Sequence, residues 1–282
     1  MIIAVASGKG GTGKTTMATN LAWSAGEEVQ LLDCDVEEPN CHIFLRPTVE
    51  ETIPVSIVVP EVDKERCTGC GKCGEMCQFN AIAALKTEPL IFPELCHGCK
   101  GCILICPEQA LTEGRREVGV LERGRSAQVG FVQGRLRIGE AMAPPLIRAV
   151  KRHIQNEQDT IIDAPPGTSC PVIEAVKGSD FVLLVTEPTP FGLNDLKLAV
   201  ELVRQLGLDF GVLINRSDIG DDRVREYCRG ENIEVLLEIP DDRRIAQEYS
   251  RGALIVEAIC GLGEKFEGLW ARLKEKKLKT AG

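Results

Sequence analysis

The chain predicts an α/β fold, a doubly wound and mostly parallel sheet interrupted by a small α+β module. Three observations carry this. A short apolar strand at the N-terminus runs straight into a glycine loop and a helix. Apolar runs and helical stretches alternate regularly through the second half. Between these regions, eight of the thirteen cysteines fall in residues 67–106. A 44% apolar and 27% charged composition suits a folded globular chain. The low aromatic content (4%) and unbroken aliphatic runs fit parallel strands buried on both faces.

In order along the chain, Ile2–Ala6 reads as the first strand and the helix after the loop runs through Trp23. Leu31-Leu32-Asp33-Cys34-Asp35 ends the second strand, and Val55–Val59 with Pro60 leads into the cysteine module at 61–112. A hairpin of Glu117–Val120 and Gln128–Gln133 follows, with Glu122-Arg123-Gly124-Arg125 as its expected turn. Strands at Thr160–Asp163, Phe181–Thr186, Phe210–Asn215 and Ile233–Ile239 then alternate with helices from Pro171, over Leu193–Leu206 and over Asp222–Arg229. Residues 1–60 and 113–282 make up 230 positions, which suits one doubly wound domain around the insert. The last helix places Phe266, Leu269, Trp270 and Leu273 at helical spacing and ends in Lys274, Lys276, Lys277 and Lys279. Packing on the sheet with a basic, dipole-compensating end is the expectation, and membrane contact by that helix is the alternative.

With 33 basic and 42 acidic residues the net charge is −9, which argues against a nucleic-acid partner held by bulk charge. The longest apolar run, Phe181–Val185, falls far short of the roughly 20 residues that span a bilayer. Met1 leads directly into the first strand without a signal peptide, and an odd cysteine count does not suit a disulfide scaffold. Metal or redox chemistry in a reducing cytoplasm is the expectation.

The clustered cysteines read Cys67-x2-Cys70-x2-Cys73-x3-Cys77 and then Cys96-x2-Cys99-x2-Cys102-x3-Cys106. Three thiolates at this spacing on a tight loop each hold one iron of a cubane, and the fourth reaches across to the other cluster. The pattern assigns Cys67, Cys70, Cys73 and Cys106 to one 4Fe–4S cluster, and Cys77, Cys96, Cys99 and Cys102 to a second, as in bacterial-type ferredoxins. Paired zinc knuckles are the rival, but zinc sites rarely need the regular third and fourth cysteines. Gln78 stands where the ferredoxin run usually has proline after its fourth cysteine.

Two fingerprints overlap in Ser7-Gly8-Lys9-Gly10-Gly11-Thr12-Gly13-Lys14-Thr15-Thr16. Gly8-x-Gly10-x-x-Gly13, with Asp33 20 residues on, fits a dinucleotide loop. Gly8-x4-Gly13-Lys14-Thr15 fits the phosphate loop of a nucleoside triphosphatase, with Lys14 on the β/γ-phosphates and Thr15 on Mg2+. The acids decide for the second. Asp33 and Asp35 sit at one strand end and Asp163, before Ala164-Pro165-Pro166-Gly167, at another, as a magnesium nucleotide site requires.

This loop, with its additional Lys9, is the deviant Walker A of the MinD/ParA/Mrp group of P-loop ATPases, which the chain resembles over nearly its whole length. With the double ferredoxin run it resembles the MinD-family ATPases that carry an inserted ferredoxin domain. The resemblance implies two subunits sandwiching two ATP molecules, as a homodimer or with a related subunit. It makes Lys9 a contact to the partner's phosphates and Asp35 the residue orienting the attacking water. Asp33 and Asp163 would serve the Mg2+ shell, Asn215 would read adenine, and Pro240, in Glu238-Ile239-Pro240-Asp241, would belong to the loop over the base.

Cys170 lies seven residues after Asp163, a spacing similar to that of the nitrogenase iron protein, but no cysteine between Cys106 and Cys170 supplies a second bridging thiolate. It reads as a small, half-buried thiol near the nucleotide, and Cys34, Cys41, Cys228 and Cys260 as packing residues. The C-x-x-C that marks Mrp-type carriers near the C-terminus is absent. His42, His97 and His153 form no catalytic pattern. The leading expectation is a Mg-ATPase linking nucleotide state to electron transfer, with a low-potential redox protein as partner. Assembly of metallocofactors for a client, and a nucleotide-switched organiser whose clusters sense redox state, are the alternatives.

Overall fold

The computed structural model describes residues 1–26 and 29–280, with side chains through 276. The last two residues of the expected 113–282 segment, and the side chains of Lys277 and Lys279, lie outside that description. In chain order the first elements are β1 (Ile2–Ala6), α1 (Lys14–Ser24), β2 (Val29–Asp33), α2 (Cys41–Leu45) and β3 (Thr48–Val62). Next come α3 (Lys72–Met76), β4 (Ile82–Ala83), β5 (Leu90–Ile91), α4 (Gly101–Ile105), β6 (Leu111–Ser126) and β7 (Val129–Leu136). Then follow α5 (Pro144–Lys151), β8 (Asp159–Asp163), α6 (Cys170–Val176), β9 (Phe181–Thr186), α7 (Pro190–Gln205), β10 (Phe210–Asn215) and α8 (Arg223–Gly230). The chain finishes with β11 (Val235–Ile239), α9 (Arg243–Ser250), α10 (Ile255–Ala258) and α11 (Leu262–Thr280).

The chain divides into two compact units: 1–52, 121–135 and 147–282 form the first, and 53–120 with 136–146 the second. The first is built on a sheet in the order β11-β10-β9-β1-β8-β2-β7, completed at that edge by its portions of β6 and β3. β1 pairs in parallel with both β8 and β9, so the strand order reverses across it. Loops at such a reversal open into a crevice at the strand C-termini, where doubly wound sheets bind their ligands. On one face, α1 and α11 bury Met17, Leu21, Phe266, Leu269, Trp270 and Leu273 against Ile3, Leu31 and Ile161. The apolar face of the last helix is therefore part of the core. No helix among the described residues is long and apolar enough to cross a membrane.

The hairpin corrects one expectation. Its turn is Ala127-Gln128, with Ala127 at a positive φ of 50°, and Glu122-Arg123-Gly124-Arg125 lies inside β6. Gly124 serves close approach instead of a turn: a Cβ there would lie 2.0 Å from the Thr48 carbonyl oxygen of the neighbouring strand. Glu122 meanwhile accepts from Gln133 and, at 3.0 Å, from Arg135 across the hairpin.

The second unit has little apolar core. One cluster joins Ile57, Val59, Ala81, Cys96 and Val118, and another joins Ile82, Cys102 and Leu111 with Cys73, Cys77 and Cys106 at its margin. Its internal duplication is visible in the backbone. Gly69 and Gly98 have φ of 67° and 69°, Gly71 and Lys100 have 78° and 61°, and Asn80 and Gln109 have 52° and 50°. Lys100 thus holds a left-handed conformation that its counterpart gives to glycine.

Candidate functional site

Ser7 to Gly13 connect β1 to α1, and the Ser7 hydroxyl donates to the Lys9 carbonyl at 2.5 Å. Gly11 and Gly13 take φ of 79° and 93°, which side-chain-bearing residues rarely adopt. α1 begins at Lys14 with no side-chain cap and no acid in its first turn, so its N-terminal dipole is left for an anion. Thr12 Oγ1 is buried without a partner. Gly10, Gly11, Gly13, Lys14, Thr15 and Thr16 line a cleft of about 440 Å³ together with Asp35, Pro166, Asn215, Arg216, Pro240 and Tyr249. Gly8 stands back against α7, where a Cβ would lie 2.1 Å from the Asp195 carbonyl oxygen. Lys9 Nζ is 3.9 Å from Glu187 Oε2, in a group that also holds Arg216 Nη1, 3.3 Å from Glu187 Oε1.

Asp33 and Asp163 face each other in register on β2 and β8 and are buried. Asp33 accepts the backbone N–H groups of Asp35 (3.1 Å) and Cys41 (3.0 Å). The Cys41 thiol donates to Asp163 Oδ2 at 3.3 Å, while Asp163 Oδ1 has no hydrogen-bond partner. Burial first, and then the Asp163 charge, raise the Asp33 carboxyl well above its ordinary range. Burial raises Asp163 as well, against the opposing pull of the Thr15 hydroxyl and Lys14. Asp35 is pushed up to about 7 by burial and by Asp163, with Lys14 opposing. Two buried carboxylates and an unpartnered oxygen beside a hydroxyl are a donor set that fits a divalent cation, whose charge would reverse these shifts.

Asn215 uses its side chain locally. Its Nδ2 donates to the Thr12 carbonyl at 2.9 Å and its Oδ1 accepts from Arg216 N at 3.0 Å. The amide thus ties β10 to the phosphate loop, so closely that a Cβ on Gly13 would lie 2.7 Å from Nδ2.

In the second unit the eight cysteines sort around two cavities. Cys67, Cys70, Cys73 and Cys106 line one, and Cys77, Cys96, Cys99 and Cys102 line the other. Four sulfurs about each cavity fit the ligand demand of a cubane. Backbone N–H groups of Ala110 (3.3 Å) and Gly98 (3.5 Å) donate to Cys106 and Cys96 sulfurs. Phe79 and His97 stack at 3.7 Å between ring centroids and line the second cavity.

Three isolated cysteines depart from the sequence reading. Cys41 bonds to Asp163 and is no mere packing residue. Cys260 is exposed, because it sits in the short link from α10 to α11. Cys170 is exposed, not half-buried, because it opens α6. Cys34 and Cys228 are buried. The sequence reading also missed Glu187, which directly follows β9 as Asp163 closes β8, so an acid at a strand end would have found it. Tyr249, Ile245 and Ala246 complete the cleft from α9, a helix with no motif to announce it.

A family model for the CobQ/CobB/MinD/ParA nucleotide binding domain matches residues 3–255. An uncharacterized protein of Methanocaldococcus jannaschii is 30% identical over 263 residues, covering 89% of this chain and 90% of its own length. An iron-sulfur cluster carrier protein of the same organism is 24% identical, covering 97% of this chain and 84% of its own length. An uncharacterized ferredoxin, also from that organism, is 37% identical over 54 residues, 18% of this chain and 70% of the ferredoxin. Among solved structures, the septum site-determining protein MinD of Pyrococcus horikoshii, complexed with Mg-ADP, shares the fold. Its TM-score is 0.59 at 19% identity, covering 96% of this chain and 95% of MinD.

Proposed function

The chain belongs to the CobQ/CobB/MinD/ParA family of nucleotide-binding proteins, and from that premise we propose a Mg-ATPase that couples its nucleotide state to electron transfer through two 4Fe–4S clusters. The observation that carries this reading is the sorting of eight cysteines into two groups of four, each about its own cavity, in a chain whose other unit presents a phosphate-loop cleft. The segment 61–112 is the proposed ferredoxin insert, flanked by the ATPase parts 1–60 and 113–282.

Lys14 and the N–H groups at the start of α1 bind the β- and γ-phosphates, with Thr12 Oγ1 as a further donor. Thr15, Asp33 and Asp163 would hold Mg2+, which when bound would supply positive charge against the negative charge developing on the phosphates. Asp35, at the cleft wall, orients the attacking water. Lys9, held by Glu187 in the single chain, turns to the partner subunit's phosphates in a homodimer. Pro240 and the α9 residues flank the base, and Asn215 reads adenine from the end of β10 while its amide ties that strand to the phosphate loop.

Each cluster carries one electron at low potential, roughly −400 mV, so the partner is a redox protein of similar potential. The test is the cluster potential measured anaerobically with and without Mg-ATP. A shift of about 59 mV per electron corresponds to tenfold coupling. An unchanged potential would refute coupling.

Delivery of iron–sulfur clusters to a client is the second reading, favoured by the full-length likeness to a protein bearing the cluster-carrier name. Iron transfer to an apo-protein faster than to a chelator would support it.

A further inference from the structure

We propose that Asp33, Cys41 and Asp163 form a site for a thiophilic divalent cation, Zn2+ by chemical class, that competes with Mg2+ for the same carboxylates. The inference rests on the reading of Asp33 and Asp163 as magnesium acids and adds a regulator to it. One ligand atom from each of the three residues lies within 4.8 Å of the other two. The Cys41 Sγ to Asp163 Oδ2 separation is 3.3 Å. A tetrahedral zinc with bonds of about 2.3 Å to sulfur and 2.0 Å to oxygen spaces those two donors about 3.5 Å apart.

The site is built, not incidental. Asp33 and Cys41 are completely buried, and Asp163 is 1% exposed. The backbone N–H of Cys41 holds Asp33 Oδ2, so the residue that supplies the thiol also fixes the acid facing it. Asp163 Oδ1 is left without any partner, although a buried carboxylate oxygen in that state is costly. A cation on this carboxylate offsets that cost by its charge.

Sulfur decides which cation. Mg2+ takes six oxygens in octahedral geometry and keeps much of its water, so a neighbouring thiol offers it nothing. Zn2+ accepts mixed sulfur and oxygen donors in fours, with the fourth position open to water. Zinc on this site withdraws Asp33 and Asp163 from the Mg-nucleotide. The nucleotide unit thereby responds to thiophilic metal in a chain that also holds eight cluster thiolates.

The experiment uses the full chain with its clusters intact, oxidised, anaerobic and nucleotide-free. Cd2+ alone is titrated for thiolate-to-metal charge-transfer absorption, with iron content measured before and after. Zn2+ affinity is read by competition with a chromogenic chelator. One equivalent of Cd2+ is expected to give the band without loss of iron, and Cys41→Ser to abolish it while Cys260→Ser retains it. Cys41→Ser is expected to weaken Zn2+ by more than the roughly 10–100-fold that loss of an outer-shell partner costs. Zinc is also expected to raise the Mg2+ needed for ATP binding in the parent chain. A band that survives Cys41→Ser, a band accompanied by iron loss, or an unchanged Mg2+ requirement would overturn the site. The parent titration needs no variant, so absence of the band overturns the proposal even if Cys41→Ser misfolds. In zinc-free buffer, Asp163→Asn separately tests the magnesium reading. An unaltered Mg2+ requirement there sinks that reading and leaves the cadmium result to stand on its own.

Discussion

The two units bring their polar groups together by opposite means. In the nucleotide unit, Asp33, Asp163 and Lys14 are buried at the ends of strands and a helix set by a large aliphatic core. In the cysteine unit, helices of five residues carry Cys73 and Cys102, loops carry the other six clustered cysteines, and Cys70 and Cys99 are exposed. The first site is an outcome of packing that exists before any ligand arrives. The second has only small apolar clusters, and on the proposed function its clusters would supply the rest of its core.

The largest expected effect tests this contrast directly. Removing iron with a chelator should abolish amide-exchange protection across 67–111 and leave the central strands β1, β8 and β9 protected. Simultaneous loss in both would erase the distinction. Next in size, Lys14→Ala removes the charge facing the phosphates and should weaken ATP by about 10–100-fold, as expected for charge-assisted hydrogen bonds. Calorimetry should measure that loss, and a redox titration should find the cluster potentials of the variant unmoved at ATP concentrations that shift those of the parent chain. Third, Asn215→Ala leaves the Thr12 carbonyl without its donor and should cost about 1–2 kcal/mol in chemical denaturation. A larger loss in ATP affinity than in stability would show that the bond positions the phosphate loop.

The smallest effect concerns pH. Asp159 accepts from the Met1 ammonium at 2.7 Å and from Lys274, and these bonds hold its carboxyl below the ordinary range despite partial burial, which alone would raise it. A depressed folded-state pKa means the stabilisation is present above the unfolded value near 3.9 and fades as pH falls through the folded one. Asp159→Asn should therefore cost about 1 kcal/mol at neutral pH and flatten the acid limb of the stability profile. An unchanged acid limb would assign that pair no role in holding the N-terminal strand.

Legibility followed the same division between local and long-range information. The phosphate loop and each C-x2-C-x2-C-x3-C run are read within about ten residues, each strand-end acid is marked by the apolar run before it, and the alternation of strands and helices was readable from Thr160 to Ile239. The hairpin turn was not, because Gly124 carries a signal for turning and for close approach alike. Only the position of Thr48, 76 residues away, separates the two. Cys41 looked like packing because its partner Asp163 lies 122 residues further on. The engagement of Asn215 with Thr12 was hidden for the same reason, at a separation of 203 residues.

The pairing of β1 has a consequence for the order in which the molecule is made. Its neighbours are β8 and β9, so the first strand has no partner until residues 159–186 have been synthesised. Every cysteine proposed to hold a cluster, 67 to 106, leaves the ribosome before then. At roughly 5–20 residues per second, this gives the cysteine unit several seconds in which to receive iron while the phosphate loop still hangs from an unpaired strand. Synthesis thus runs ahead of assembly: the cysteines at 67–106 are all made before the N-terminal strand gains its first sheet partner.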